Sequence, residues 1–335
     1  MNRTGRCWRI LPLTAVLAGI GLAMTGCGSA GPAPGKPPPA SAHTAAERAA
    51  VMNWLVRTDR MYANSDFAEL DQVTTGQMRT IYLSERRHAS LPSNADRQYF
   101  QLTDLSITIP CHAGPAAVFV AYADTNVVTL GQTVQPAALV FERTGGAWKL
   151  ATAVDRPSSG WPTLCTQGTP PTTPAVLTPG SYVPDLARVL TGAATGAAQT
   201  AQTASPFAVN DFLAGSGSIP AVYATSSRQD RRGGVSFTTR FATTPDPTFA
   251  LPLAGGRGFW VIGALTQSNI YSAPSGVTAK DWPDGNQVAT PRPAIVHHET
   301  DTFATTYTAI DPLGPADATV ALDGFFGWPL TAIAS

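Results

Sequence analysis

Six residues near the carboxyl end, Val296-His297-His298-Glu299-Thr300-Asp301, form the densest group of chemistry-bearing side chains in this 335-residue chain. Side chains alternate faces along an extended strand, so His297, Glu299 and Asp301 would share one face. An imidazole with carboxylates in reach is a donor set for a divalent metal. The spacing therefore nominates His297, Glu299 and Asp301 as metal candidates and, through a metal-activated water, a hydrolase. Nothing else in the chain adds to that set. There is no His-Glu-x-x-His helix and no Cys/His cluster, and His43, His88 and His112 are isolated in sequence. The simpler account is a polar start to a strand after the Pro-rich segment PRPAI, so no metal or other cofactor is assigned.

Other motifs fare no better as catalytic sets. Gly215-Ser-Gly-Ser218 lacks the glycine spacing of a nucleophile elbow and reads as a loop. Asp281-Trp-Pro-Asp-Gly-Asn286 clusters oxygens but lacks the alternating acids and the later Glu of a calcium loop, and a Pro-Asp-Gly turn accounts for it. Arg228, Arg231 and Arg232 precede a Gly-Gly turn; they offer an anion patch or, more simply, a solvated loop. Trp54, Tyr62, Tyr99, Phe119, Tyr122 and Trp148 would line an apolar pocket between helices and sheet, or serve as core. Phe325-Phe-Gly-Trp328 either packs on its own domain or contacts a partner. With no catalytic set, a non-enzymatic ligand-binding or protein-interaction module is expected, with a metal-dependent envelope hydrolase as the alternative.

The cysteines report on location. The first nine residues carry three arginines and no acid, and Ile10 to Met24 is an apolar run short of the roughly 20 residues that a spanning helix needs. The following Thr25-Gly26-Cys27 resembles the lipobox of bacterial lipoprotein signal peptides, with Met24 where Leu is usual. The resemblance implies that Cys27 receives a diacylglyceryl group, becomes the first residue after cleavage, and carries a further acyl chain such as palmitate on its amine. Two or three chains anchor stably where one does not. The expected location is the cell membrane, lipid-anchored on the extracytoplasmic face through the outer leaflet. Loss of residues 1–26 removes Arg3, Arg6 and Arg9 and no acid, so 22 basic against 22 acidic becomes 19 against 22. That balance, without a Lys/Arg run, argues against nucleic acid as a partner. Cys111 and Cys165 remain, and an oxidising compartment permits a disulfide between them; two separate buried thiols are the alternative.

The elements that must position these residues follow from periodicity. Residues 1–26 are the signal peptide and 27–43 the lipidated cysteine with a Pro-rich tether. A first domain, 44–165, opens on a capping-box pattern, Thr44 with Glu47, and an apolar stripe through Val51, Trp54, Leu55, Thr58, Met61 and Tyr62. Further helical stretches hold Phe67, Leu70 and Val73, then Met78, Ile81 and Tyr82. The period then changes to alternation through Leu105 to Ile109, Ala117 to Tyr122, Ala138 to Arg143 and Trp148 to Val154, with Thr144-Gly-Gly-Ala147 as a hairpin signal. A Pro/Thr-rich linker, 166–181, leads to a second domain, 182–335. This one has a weak helical portion from Val183 to about Leu213 and strands at Val235–Ala242, Thr248–Leu253, Gly258–Gln267, Thr302–Ile310 and Ala318–Leu322. The expected class is α+β: two tandem domains, each with helices packed on a curved antiparallel β-meander, a pattern that resembles the NTF2-like roll.

Over its whole length the chain resembles a family of actinobacterial lipoproteins that carry a domain of unknown function. The resemblance rests on the lipobox at Cys27 and on the segments AALVFERTGGAWKLATAVD, TFALPLAGGRGFWVIGALT and FATTYTAIDPLGPADATVALDG. These are hairpins and core strands. They imply architecture and location, supply no catalytic residues, and leave the partner as the membrane through Cys27 with an envelope protein or apolar ligand.

Overall fold

The computed structural model describes residues 45–89, 100–111, 117–127, 135–157, 160–166, 186–192, 207, 234–279, 293–313 and 319–335. Three helices lead: α1 (Ala45–Asn64), α2 (Leu70–Val73) and α3 (Gly76–Ala89). Helix α1 buries Val51, Trp54, Thr58 and Met61, a stripe at three- and four-residue steps that can face only one way. Four strands follow, β1 (Phe100–Thr108), β2 (Val118–Val127), β3 (Gln135–Thr144) and β4 (Ala147–Asp155), in the order β1-β2-β3-β4. All three pairings are antiparallel. Between β3 and β4, Gly145 and Gly146 take φ of 61° and 83°. Two successive left-handed residues are what a two-residue turn needs to match the strand twist, and glycine adopts them without a Cβ clash.

The second sheet is larger: β5 (Ser236–Thr243), β6 (Phe249–Pro252), β7 (Gly258–Thr278), β8 (Ile295–Pro312) and β9 (Ala321–Ala334). Its order is β5-β7-β8-β9, with β6 also paired to β7. Strands β7 and β8 run for 21 and 18 residues, far beyond the usual five or six. Extra residues interrupt the β8–β9 ladder between Thr302 and Phe303 and again between Thr308 and Ala309, bulges that bend the outer strand.

Burial fixes the layers. One face of the first sheet, with Phe119, Leu139, Phe141 and Leu150, packs under the three helices. Its other face, with Val120, Tyr122, Ala138 and Val140, packs on Phe249, Leu251, Trp260 and Ile262 of the second sheet. The far face of the second sheet, with Val261, Leu265, Tyr307 and Ala309, is covered by Leu186, Val189 and Leu190 from a helical stretch at residues 186–192. Helix α3 reaches past the first sheet, and Ser84 donates its hydroxyl to the Leu330 carbonyl of β9.

This arrangement corrects the expected fold class. The protein is mostly β, built on antiparallel sheets of four and five strands, and is not a tandem pair of α+β domains with an NTF2-like roll in each. The helical signal expected from Val183 to about Leu213 is met only at residues 186–192; apart from Phe207, which bridges to Val320, the rest of it lies outside the described residues. Most of the expected linker, from residue 167 onward, lies outside them too.

Cys111 and Cys165 form a disulfide with a Cα–Cα distance of 5.4 Å. Around it the backbone is stitched to both sheets: Cys111 N–H donates to the Cys165 carbonyl at 2.6 Å, and Cys165 N–H donates to Pro252 at the end of β6 at 2.8 Å. The Leu164 and Trp161 side chains of this segment pack onto the inter-sheet core. Reduction of the bridge, or Cys111→Ser, is expected to lower the unfolding free energy by about 4 kcal/mol for a loop spanning 54 residues. The check is a denaturant midpoint with and without reductant: the wild type should shift and Cys111→Ser should not, while a wild type indifferent to reductant would show that the bridge constrains nothing.

Candidate functional site

The His297/Glu299/Asp301 motif lies at the start of β8, and the structure divides it. Ser335 offers one carbonyl to two successive donors, the N–H groups of His297 and His298, at 2.8 and 2.9 Å. Two residues opposing one is a bulge, and it shifts the phase of the strand. Opposite, β7 slips register between Ser272 and Val277. The consequence is that His297 is exposed while Glu299 and Asp301 are buried. Among the described residues no group of three or more His, Cys, Asp or Glu side chains is placed to hold a metal.

Glu299 and Asp301 instead join a polar stripe on the covered face of the second sheet. Thr239, Asn269 and Asp301 stand directly opposite one another across β5, β7 and β8. Asn269 Oδ1 accepts from Thr239 Oγ1 and from Gln267 Nε2, each at 2.9 Å, and Thr305 donates to Gln267 Oε1 at 3.4 Å. All are nearly inaccessible, Thr305 and Glu299 fully so. Buried polar groups are costly unless satisfied, so this chain of amide and hydroxyl bonds is what lets the stripe sit inside.

A second polar cluster ties α3 to both sheets. Gln77 Oε1 accepts from Thr152 of β4 at 2.9 Å and from Thr306 of β8 at 2.6 Å. Asp246, Pro247 and Phe249 close a crevice beside it that is packed too tightly to hold a water molecule. Partial burial raises the Asp246 carboxyl above its usual range, against a lowering hydrogen bond with Thr244. On the opposite face of β7, Gly263 stands opposite Tyr307, and a Cβ there would collide with the phenol ring, so only glycine admits the tyrosine.

The aromatic residues proposed as a pocket lining pack instead. Phe119 stacks on Phe141 at 4.7 Å and meets Trp148 edge-on at 4.8 Å, and Trp54 abuts Phe141 at 6.2 Å. Tyr62 packs at the edge of the same core, whereas Tyr122 lies across the sheet in the inter-sheet core. Phe325 and Trp328 pack on opposite faces of the second sheet. Cys27, His43, Tyr99, His112, Gly215 to Ser218, Arg228 to Arg232 and Asp281 to Asn286 lie outside the described residues. Sequence reasoning missed Gln77, Thr239, Gln267 and Asn269. For Thr239, Gln267 and Asn269 the signal is polar residues recurring at alternate strand positions; Gln77, on α3, carries no such signal.

These features define a mostly β, two-sheet protein with a hydrogen-bonded polar stripe inside its second sheet. The chain belongs to a family described as a domain of unknown function, DUF8094, whose family model matches residues 37–323. No curated protein and no solved structure matches it.

Two substitutions test the interior. Gln77→Leu removes the acceptor of two buried hydroxyls and should cost about 2–3 kcal/mol. Tyr122→Phe removes a buried hydroxyl that has no hydrogen-bond partner and should be neutral or stabilising by about 1 kcal/mol. Both are read from chemical denaturation; a destabilised Tyr122→Phe would mean that its hydroxyl is satisfied after all.

Proposed function

We propose that the protein is an exported lipoprotein, held at the outer face of the cytoplasmic membrane by lipid on Cys27, that acts by binding rather than by turnover. The observation that carries the reading is the leader itself: a basic start, a short apolar run and a small-residue approach to Cys27, followed by Gly/Ala/Pro-rich sequence. Residues 1–26 are then the signal peptide. Residues 27–43 are the tether, reaching about 50 Å from the membrane when extended. The disulfide supports this placement, since such bonds persist in oxidising compartments and are rare in reducing ones. The resemblance to actinobacterial lipoproteins points the same way. No described helix is long and apolar enough to cross a membrane, and in this reading the lipid supplies the attachment.

Binding is favoured over chemistry by where the structure puts the polar groups. The amide side chains of Gln267 and Asn269 are hydrogen-bonded in the interior of the second sheet, Glu299 and Asp301 are buried beside them, and His297 of the same motif is exposed. Part of the second sheet's side-chain surface faces outward, suited to an extended partner in the envelope.

Cys27→Ala is expected to move the protein from the membrane fraction to the soluble or secreted fraction, or to leave an unprocessed precursor. Fractionation with mass measurement of the amino-terminal peptide checks it. A Cys27→Ala protein still membrane-bound after normal processing would sink the anchor assignment.

A further inference from the structure

The face of the second sheet that packs on the first sheet is covered over only part of its length. Toward the ends of β7 and β8 remote from Trp260, the same face emerges as a surface four strands wide among the described residues. Residues directly opposite on antiparallel strands share a face, which fixes its composition from the pairing. One row across β5, β7, β8 and β9 is Arg240, Ser268, Thr302 and Thr331. The next is Thr238, Ile270, Thr300 and Ile333. Thr238 and Arg240 are exposed, the middle strands are half-buried, and Ile333 is the most exposed large apolar residue, at 62 %. With strands about 4.8 Å apart the surface is about 14 Å wide, and successive rows lie about 7 Å apart.

The chemistry of these rows is specific. Hydroxyls dominate, and each both donates and accepts. The threonine methyls, Ile270 and Ile333 lie between them as apolar strips. No acidic side chain stands in either row, and Arg240 is the cation, with no ion-pair or hydrogen-bond partner among the described residues. A protein interface core is enriched in aromatics and depleted in serine, and nucleic acid or an anionic bilayer calls for several clustered cations. A lattice of hydroxyls and methyls around one guanidinium matches a polymer with the same ingredients: sugar hydroxyls, C–H faces, and a carboxylate at intervals. Each hydroxyl contact contributes little net free energy, so an extended chain crossing several rows is needed to bind. The planar guanidinium pairs with a carboxylate through two parallel hydrogen bonds and sets the register.

We propose that this open face binds a carboxylate-bearing polysaccharide, with Arg240 as its anion contact and the Ser268 and Thr300 rows as its bed. The exported placement argued above puts such polymers within reach; the binding itself does not depend on the lipid. The test uses the full chain carrying Cys27→Ala, purified from an oxidising compartment, in a titration with polygalacturonate, with neutral dextran and poly-glutamate as controls. Polygalacturonate should bind, and both controls should bind at least tenfold more weakly. Arg240→Glu should weaken polygalacturonate binding by tenfold or more, and Ser268→Glu similarly, with unfolding midpoints unchanged. Arg240→Lys, which keeps the charge and loses the fork, should fall between. No binding of polygalacturonate overturns the proposal. So does equal binding of dextran, which would make the charge irrelevant, or of poly-glutamate, which would make the sugar irrelevant. Failure here leaves the Cys27 fractionation result untouched, and failure of that result leaves this titration intact.

Discussion

The ladder between β7 and β8 is the constraint on which the rest of the molecule depends. Among the described residues this pairing borders every other layer: Trp260 and Ile262 face the first sheet, Val261, Tyr307 and Ala309 face the helical stretch at residues 186–192, and Thr306 takes part in the contact with α3. A strand buried on both faces cannot alternate apolar with polar in the way that a half-exposed strand does. Through Gly258 to Leu265 this strand is continuous apolar and small sequence, as two-sided burial requires. Beyond it, burial persists on one face while the residues turn polar, and the amide and hydroxyl bonds of Gln267, Asn269 and Thr239 hold the ladder inside.

That change of character explains what was legible in the sequence and what was not. The stripe of α1 and the Gly145-Gly146 hairpin are local signals, set by side-chain period and by backbone φ, and both are visible in a few residues. The full length of β7 and β8 is not. The apolar pattern stops near Gln267 and begins again near Thr302, but the strands run to Thr278 and start at Ile295 because polar pairs carry the ladder onward. Reading only the apolar parts shortened the second sheet and made the helices seem a larger share of the molecule, which is how an α+β expectation arose for a mostly β chain. Tertiary context also decided the His297 motif. Strict alternation would have aligned it with Glu299, and a bulge formed around the Ser335 carbonyl, a contact between strand start and chain end, broke that phase.

The disulfide segment belongs to the same economy of layers. Residues 160–166 leave the first sheet, place Trp161 and Leu164 over the inter-sheet core, and bridge to Leu253 beside β6. Trp161 packs against Tyr122 of one sheet at 5.0 Å and Trp260 of the other at 6.3 Å. A covalent link between Cys111 and Cys165 therefore restrains the strip of chain that covers the junction of the sheets, and not a loop remote from the core. Cysteine count and compartment suggested the pairing; the position of the bridge could come only from the fold.

Two sheets of unequal length, packed face to face, leave part of the longer one uncovered. Among the described residues, the first sheet and α3 cover the second sheet as far as Ala304, Trp328 and Leu330. Past the row of Ala304 and Trp328 the same face continues for three more rows of residues, in which serine and threonine predominate, with Arg240, Ile270, His298 and Ile333 among them. The sequence has thus matched side-chain type to solvent at the place where the cover ends, while keeping the backbone in register. Edge strands of such a sheet are a hazard for self-association. Here β5 is held by Thr191, whose hydroxyl accepts from the Phe241 N–H at 2.9 Å, and β9 carries Pro329 and the Ser84 contact. Thr191 and Pro329 interrupt these backbone edges at single points, so among the described residues the side-chain face is the broader surface that the second sheet offers.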